Sequence, residues 1–94
     1  MQTLTKEEIE KALLNLKGWS FKDNGIEKKF VFEDFKEALS TMMGIGVIAE
    51  EMNHHPEWFN VYNKLDIRLS THDAEGVTLK DIELANKIEM ICNK

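Results

Sequence analysis

The sequence predicts a single α+β domain: an antiparallel sheet of four strands with three helices packed on one face. Three observations carry this. Stretches with apolar residues three and four apart take turns with stretches in which every second residue is apolar. Each change of period is marked by a capping or turn signal. The chain has 94 residues, 43% of them hydrophobic, which is enough for one core and too few for two. No linker or low-complexity segment interrupts it, so residues 1–94 are read as one domain in the order helix, hairpin, helix, hairpin, helix.

The first helix is announced by Thr5 and Glu8 at capping-box spacing, with Leu4 and Ile9 at the positions of a hydrophobic staple. Ile9, Ala12, Leu13 and Leu16 then form one apolar face, and Gly18 is placed to end the helix. From Trp19 the period becomes two. Trp19 and Phe21 precede the turn signal Asp23-Asn24-Gly25, and Ile26, Phe30 and Phe32 follow it among charged residues, which describes a hairpin with one wet face.

A second helix is expected over 34–52, with acidic residues at its start. Its middle, over 42–49, is apolar all round, so a two-sided helix would leave part of it in water. Either the helix is central to its own fold or it lies in a subunit interface, where Gly44 and Gly46 would permit close approach. A homodimer or homotetramer is expected.

After Pro56 the alternation resumes through Trp58 to Tyr62, then Leu65, Ile67, Leu69 and Thr71, with Asn63-Lys64 as the expected turn and His72 as the end of the hairpin. Thr78 and Asp81 again have capping-box spacing. Leu84, Ala85, Ile88, Ile91 and Cys92 supply the apolar stripe of a third helix.

The formal charge of −5 offers no basic surface for a phosphate backbone, so no direct nucleic-acid contact is expected. No apolar run is long enough to span a bilayer and the polar N-terminus lacks a signal peptide, which predicts a cytoplasmic protein with no membrane partner. Cys92, the only cysteine, reads as a small core residue.

All three histidines lie between His54 and His72, two of them adjacent where a helix must break before Pro56. Unperturbed histidine titrates at pH ~6.5, so such a cluster suits acid–base chemistry. On spacing alone, His54 and His55 read equally as polar helix-terminal residues bonded to free carbonyls, and His72 as a hydrogen-bonded residue at a strand end. The familiar zinc spacings are absent and no metal site is expected. Glu50, four residues before His54, is placed to orient an imidazole or accept from a ligand. Trp58 is the best aromatic candidate for a flat pocket, with core packing as its alternative. There is no glycine-rich phosphate loop and no Gly-x-Ser-x-Gly elbow.

The run Glu50-Glu-Met-Asn-His-His-Pro-Glu-Trp-Phe-Asn-Val-Tyr-Asn-Lys64, followed by Leu-Ser-Thr-His72 and then Asp81, resembles the signature of the pterin-4a-carbinolamine dehydratases, without departure at a signature position. The resemblance implies a small-molecule pterin substrate, the 4a-hydroxytetrahydropterin left by aromatic amino-acid hydroxylases. It also implies an elimination of water to quinonoid dihydropterin, with no separate cofactor. Carried onto the matching positions, it makes His54 and His72 acid–base residues, His55 a holder of the pterin, and Glu50, Trp58 and Asp81 supporting residues. Proteins similar to this family also act as dimerisation cofactors of a homeodomain transcription factor. A protein-binding coactivator working through the apolar helix is therefore the rival expectation, and a non-catalytic pterin-binding protein the third.

Overall fold

The first helix starts where its capping chemistry places it. In the computed structural model, which describes residues 2–93, Thr5 Oγ1 accepts from the Glu8 N–H at 3.1 Å while the Glu8 carboxylate accepts from the Thr5 N–H at 2.8 Å. The helix, α1, is shorter than its apolar pattern suggested. It spans Lys6–Leu13, and Leu16, expected on it, is buried from the turn that follows. Gly18 closes that turn at φ +87°, a left-handed conformation that favours glycine.

Strands β1 (Ser20–Lys22) and β2 (Gly25–Val31) form the first hairpin. Its two turn residues, Asp23 and Asn24, both have positive φ, the twist-compatible two-residue turn that the Asp-Asn-Gly signal promised. Helix α2 runs Phe35–Met52, capped by the Asp34 carboxylate accepting from the Glu37 N–H at 2.8 Å. Strands β3 (Glu57–Val61) and β4 (Lys64–Leu69) form the second hairpin.

Two details of that hairpin correct the sequence reading. The turn is Tyr62-Asn63 rather than Asn63-Lys64, because Lys64 already pairs with Val61 and the Asn60 amide donates to the carbonyls of Tyr62 and Lys64 across the turn. The strand stops at Leu69, before His72. Thr71 pairs back onto Gly76, and His72 opens a short 3₁₀ turn, His72–Ala74. Helix α3, Leu79–Cys92, then starts at the expected Thr78 cap.

The strands lie in the order β1-β2-β4-β3, all antiparallel. The register sets Ile26 opposite Leu69 and Phe30 opposite Leu65, with Ile67 between them on the same face. These residues are buried with Ile9, Ile45, Leu84, Ala85 and Ile88 in one core between sheet and helices. The other sheet face carries Lys29, Asp66, Arg68 and Glu57, joined by the exposed Phe59 and Val61. Among the described residues no helix is long and apolar enough to cross a membrane.

The end of α3 is tied to the first hairpin by Glu89, whose carboxylate accepts from Trp19 Nε1 at 2.9 Å and Lys28 Nζ at 2.8 Å. Lys28 also lies over the Phe30 ring, 4.7 Å from its centroid. Partial burial works to raise the Glu89 pKa. Hydrogen bonds from Lys28, Trp19 and Asn93, with the Lys28 charge, outweigh it and hold the carboxyl below its ordinary 4.5. Nearby Cys92 is half-buried, and burial reinforced by the Glu89 charge pushes its thiol up to about 11, as suits an inert packing residue.

Because the folded pKa of Glu89 lies below the unfolded one, its contribution to stability is present above pH 4.5 and lost as pH falls through the folded value. Thermal melts of the protein and of Glu89→Gln should therefore differ most at neutral pH and converge in acid. A difference that stays constant down to pH 3 would show that the carboxylate charge contributes nothing.

Candidate active site

The adjacent histidines are separated by a backbone device. Asn53, at the end of α2, adopts a left-handed conformation (φ 52°, ψ 43°), and its N–H bonds back to the last helical turn. The His54 N–H bonds to the Ala49 carbonyl at 3.0 Å. The chain leaves the helix with His54 turned inward, only 8% exposed, and His55 outward. Pro56 then commits it to β3.

His54 Nε2 lies 2.5 Å from Asp81 Oδ1. Asp81 is fully buried, and burying a carboxylate is costly unless its lone pairs are taken. They are: Oδ2 accepts from Thr71 Oγ1 at 2.8 Å and from the Thr78 N–H at 2.9 Å. Thr71 and Thr78 also share a hydroxyl–hydroxyl bond of 2.8 Å. The capping acid of α3 is thus also the partner of the buried histidine.

Glu50 does not reach His54. Because Asn53 ends the helix, the four-residue spacing no longer places the two on one face, and the Glu50 carboxylate instead meets His55 Nε2 at 2.8 Å. This pair is exposed, so it orients the ring more than it stabilises the fold. His72 is also exposed and lies 3.5 Å from the Glu57 carboxylate through Nε2.

His54, His55 and His72 line one cleft of about 380 Å³, together with Thr71, Asp73 and Lys80. Trp58 is not part of this lining. In β3 it stands opposite Ile67, and it borders a larger, open cleft of about 670 Å³ against the sheet, which contains no histidine. We place the candidate site at the smaller cleft because the groups able to transfer protons converge there. Its floor is buried His54, backed by Asp81, and its rim carries two exposed histidines, each with its own carboxylate. Among the described residues no three His, Cys, Asp or Glu side chains converge as metal ligands.

Sequence reasoning missed Thr71, Thr78 as a hydroxyl partner, and Lys80. Thr71 reads in sequence as one more alternating strand residue and Thr78 as a cap. Lys80 gave no signal, being a cation in the first turn of a helix, where acidic residues are favoured.

Removing the Asp81 carboxylate strands three donors that are buried or part-buried, so Asp81→Ala should lower stability by about 3 kcal/mol or more in urea titrations. His55→Ala and His72→Ala, at exposed positions, should stay within about 0.5 kcal/mol of the parent protein. Equal losses for all three would contradict the division between floor and rim.

Comparison with known proteins identifies the family. The chain matches the family profile described as pterin 4 alpha carbinolamine dehydratase over residues 2–91. It is 51% identical over 89 residues to a provisionally named pterin-4-alpha-carbinolamine dehydratase of Sulfurisphaera tokodaii, covering 95% of this chain and 96% of that one. A protein of the same provisional name from Christiangramia forsetii is 50% identical, with 97% and 94% covered. Among solved structures, a transcriptional coactivator/pterin dehydratase from Brucella melitensis superposes with a TM-score of 0.93 at 42% identity, covering 96% of this chain and 98% of that one. With nearly its whole length matched in sequence and fold, the chain belongs to the pterin-4a-carbinolamine dehydratase family.

Proposed function

We propose that the protein is an active dehydratase that converts a 4a-hydroxytetrahydropterin to quinonoid dihydropterin and water, in the recycling of tetrahydrobiopterin used by an aromatic amino-acid hydroxylase. The observation that carries this is the convergence of His54, His55 and His72 on one cleft, with His54 backed by buried Asp81.

The reaction needs one proton delivered and one removed. Hydroxide leaves poorly, so an acid protonates the oxygen on carbon 4a and the carbon–oxygen bond breaks with release of water. The ring nitrogen beside that carbon gives its proton to a base, and its electron pair closes the new carbon–nitrogen double bond. The enzyme ends with as many protons as it began with, which suits a pair of imidazoles. In this reading His54 and His72 exchange protons with the substrate, from the floor and the rim of the cleft. His55, held by Glu50, grips the pterin. Asp81 holds His54, and Trp58 stands outside this cleft, bordering the larger one. No metal and no further cofactor take part, and a cytoplasmic location goes with this chemistry.

The same reading includes a homo-oligomer. Phe35, Leu39, Met43 and Val47 recur every fourth residue along α2 and are all exposed, Met43 at 67% and Val47 at 62%. A Cβ on Gly46, beside this stripe, would meet nothing within 4 Å. A second copy of the chain covers such a stripe at no new sequence cost. The stripe would serve a coactivator equally well, and the Brucella melitensis structure carries both descriptions. The two roles are compatible.

Purified protein should dehydrate the carbinolamine with a chelator present. His54→Ala and His72→Ala should each lose about 10²–10⁴-fold in kcat, while His55→Ala should chiefly raise KM. Pterin binding without turnover would defeat the enzymatic reading, and loss of turnover on chelation would defeat the metal-free step. Met43→Glu should reduce the assembly to a smaller species in sedimentation velocity. An unchanged sedimentation coefficient would exclude the α2 stripe as the contact.

A further inference from the structure

We propose that Thr71 is a positioning residue for this site, its hydroxyl holding Asp81 so that His54 is kept in the tautomer with hydrogen on Nε2, and its backbone holding the loop that carries His72.

The direction of every hydrogen bond in the buried network follows from counting protons. An ionised Asp81 only accepts. Thr71 has one hydroxyl hydrogen and gives it to Asp81 Oδ2 at 2.8 Å. In the Thr71–Thr78 hydroxyl pair, also 2.8 Å apart, Thr78 must then be the donor. Thr78 Oγ1 in turn accepts from the Lys80 N–H at 3.3 Å. Donation runs one way, from the first turn of α3 through two hydroxyls to the carboxylate. With the Thr78 N–H also on Oδ2, the remaining oxygen faces His54 Nε2 at 2.5 Å. In a neutral His54 that nitrogen carries the hydrogen, which leaves Nδ1 with the lone pair for proton transfer.

The backbone of Thr71 makes a second set of ties. Its N–H donates to the Gly76 carbonyl at 2.8 Å, and its own carbonyl accepts from Ala74 at 3.1 Å and Gly76 at 3.3 Å. These bonds close the turn on which His72 sits. One residue therefore holds the carboxylate behind one histidine and the loop beneath another, 18 positions apart in the chain. Every buried side-chain polar atom among the described residues has a partner, the Thr71 hydroxyl included.

The consequence for turnover rests on the dehydratase reading, whereas the consequence for the tautomer does not. Thr71→Val removes the hydroxyl at nearly constant volume, and Thr71→Ser restores it. In ¹⁵N spectra of histidine-labelled protein, the parent chain and Thr71→Ser should show His54 protonated at Nε2. Thr71→Val should show a mixture of tautomers or an altered Nε2–H resonance. In the carbinolamine assay, Thr71→Val should lose about tenfold or more in kcat, the scale of one hydrogen bond to a charged group, with KM little changed and Thr71→Ser close to the parent. A His54 protonated at Nδ1 in the parent chain would overturn the proposal. So would a Thr71→Val protein with parental spectrum and kcat, or a Thr71→Ser protein as impaired as Thr71→Val. If the parent chain fails to turn over the carbinolamine, the dehydratase reading falls, and the spectra of the three proteins still decide the role of Thr71.

Discussion

Much of this structure depends on one buried carboxylate. Asp81 has no exposed surface, and its desolvation is tolerated only because groups from three parts of the chain donate to it: His54 beyond α2, Thr71 after β4, and the Thr78 N–H at the start of α3. Half-satisfied, such a network would be worse than an apolar core. Fully satisfied, it forces α2, the end of the second hairpin and α3 into one relative position. The cleft lies above that junction, so the requirement that makes the fold specific also aligns the histidines.

The sheet contributes a rigid base. Pairing β4 between β2 and β3 buries Leu65, Ile67 and Leu69 on one face and brings the ends of both hairpins under the helices. Glu89 does at the far end of α3 what Asp81 does at its start. There the partners are Trp19 and Lys28, partly exposed, so that end tolerates water where the other excludes it. The last helix is therefore held at both ends by carboxylates, one wet and one dry.

The layout was legible because local chemistry and tertiary structure agree. Thr5 and Thr78 cap the helices they were expected to cap, Asp34 caps the helix expected to begin there, and the two changes to period two mark the two hairpins. The misses were places where a specific hydrogen bond outweighed the alternating pattern. Asn60 drew the second turn one residue earlier, and the Thr71–Gly76 bridge lifted His72 off the strand. At the site, clustering of histidines between 54 and 72 pointed to the right stretch. It was not possible to read from spacing that a capping acid would be shared with His54, or that Glu50 would meet His55, because both depend on the left-handed turn at Asn53. Trp58, read as a pocket candidate, borders the larger cleft and not the one that holds the histidines, a distinction aromatic character does not carry.

That turn at Asn53 also bears on how chemically identical side chains acquire different properties. His54 and His55 have the same ring and adjacent places in the chain, yet one backbone torsion sends the first into a dry, carboxylate-lined environment and the second into water. Their individuality is conformational, not compositional. An asparagine, one of the few residues that enter the left-handed region at little cost, thereby acts as a sorting element: it divides a repeated letter of the sequence into two distinct chemical reagents.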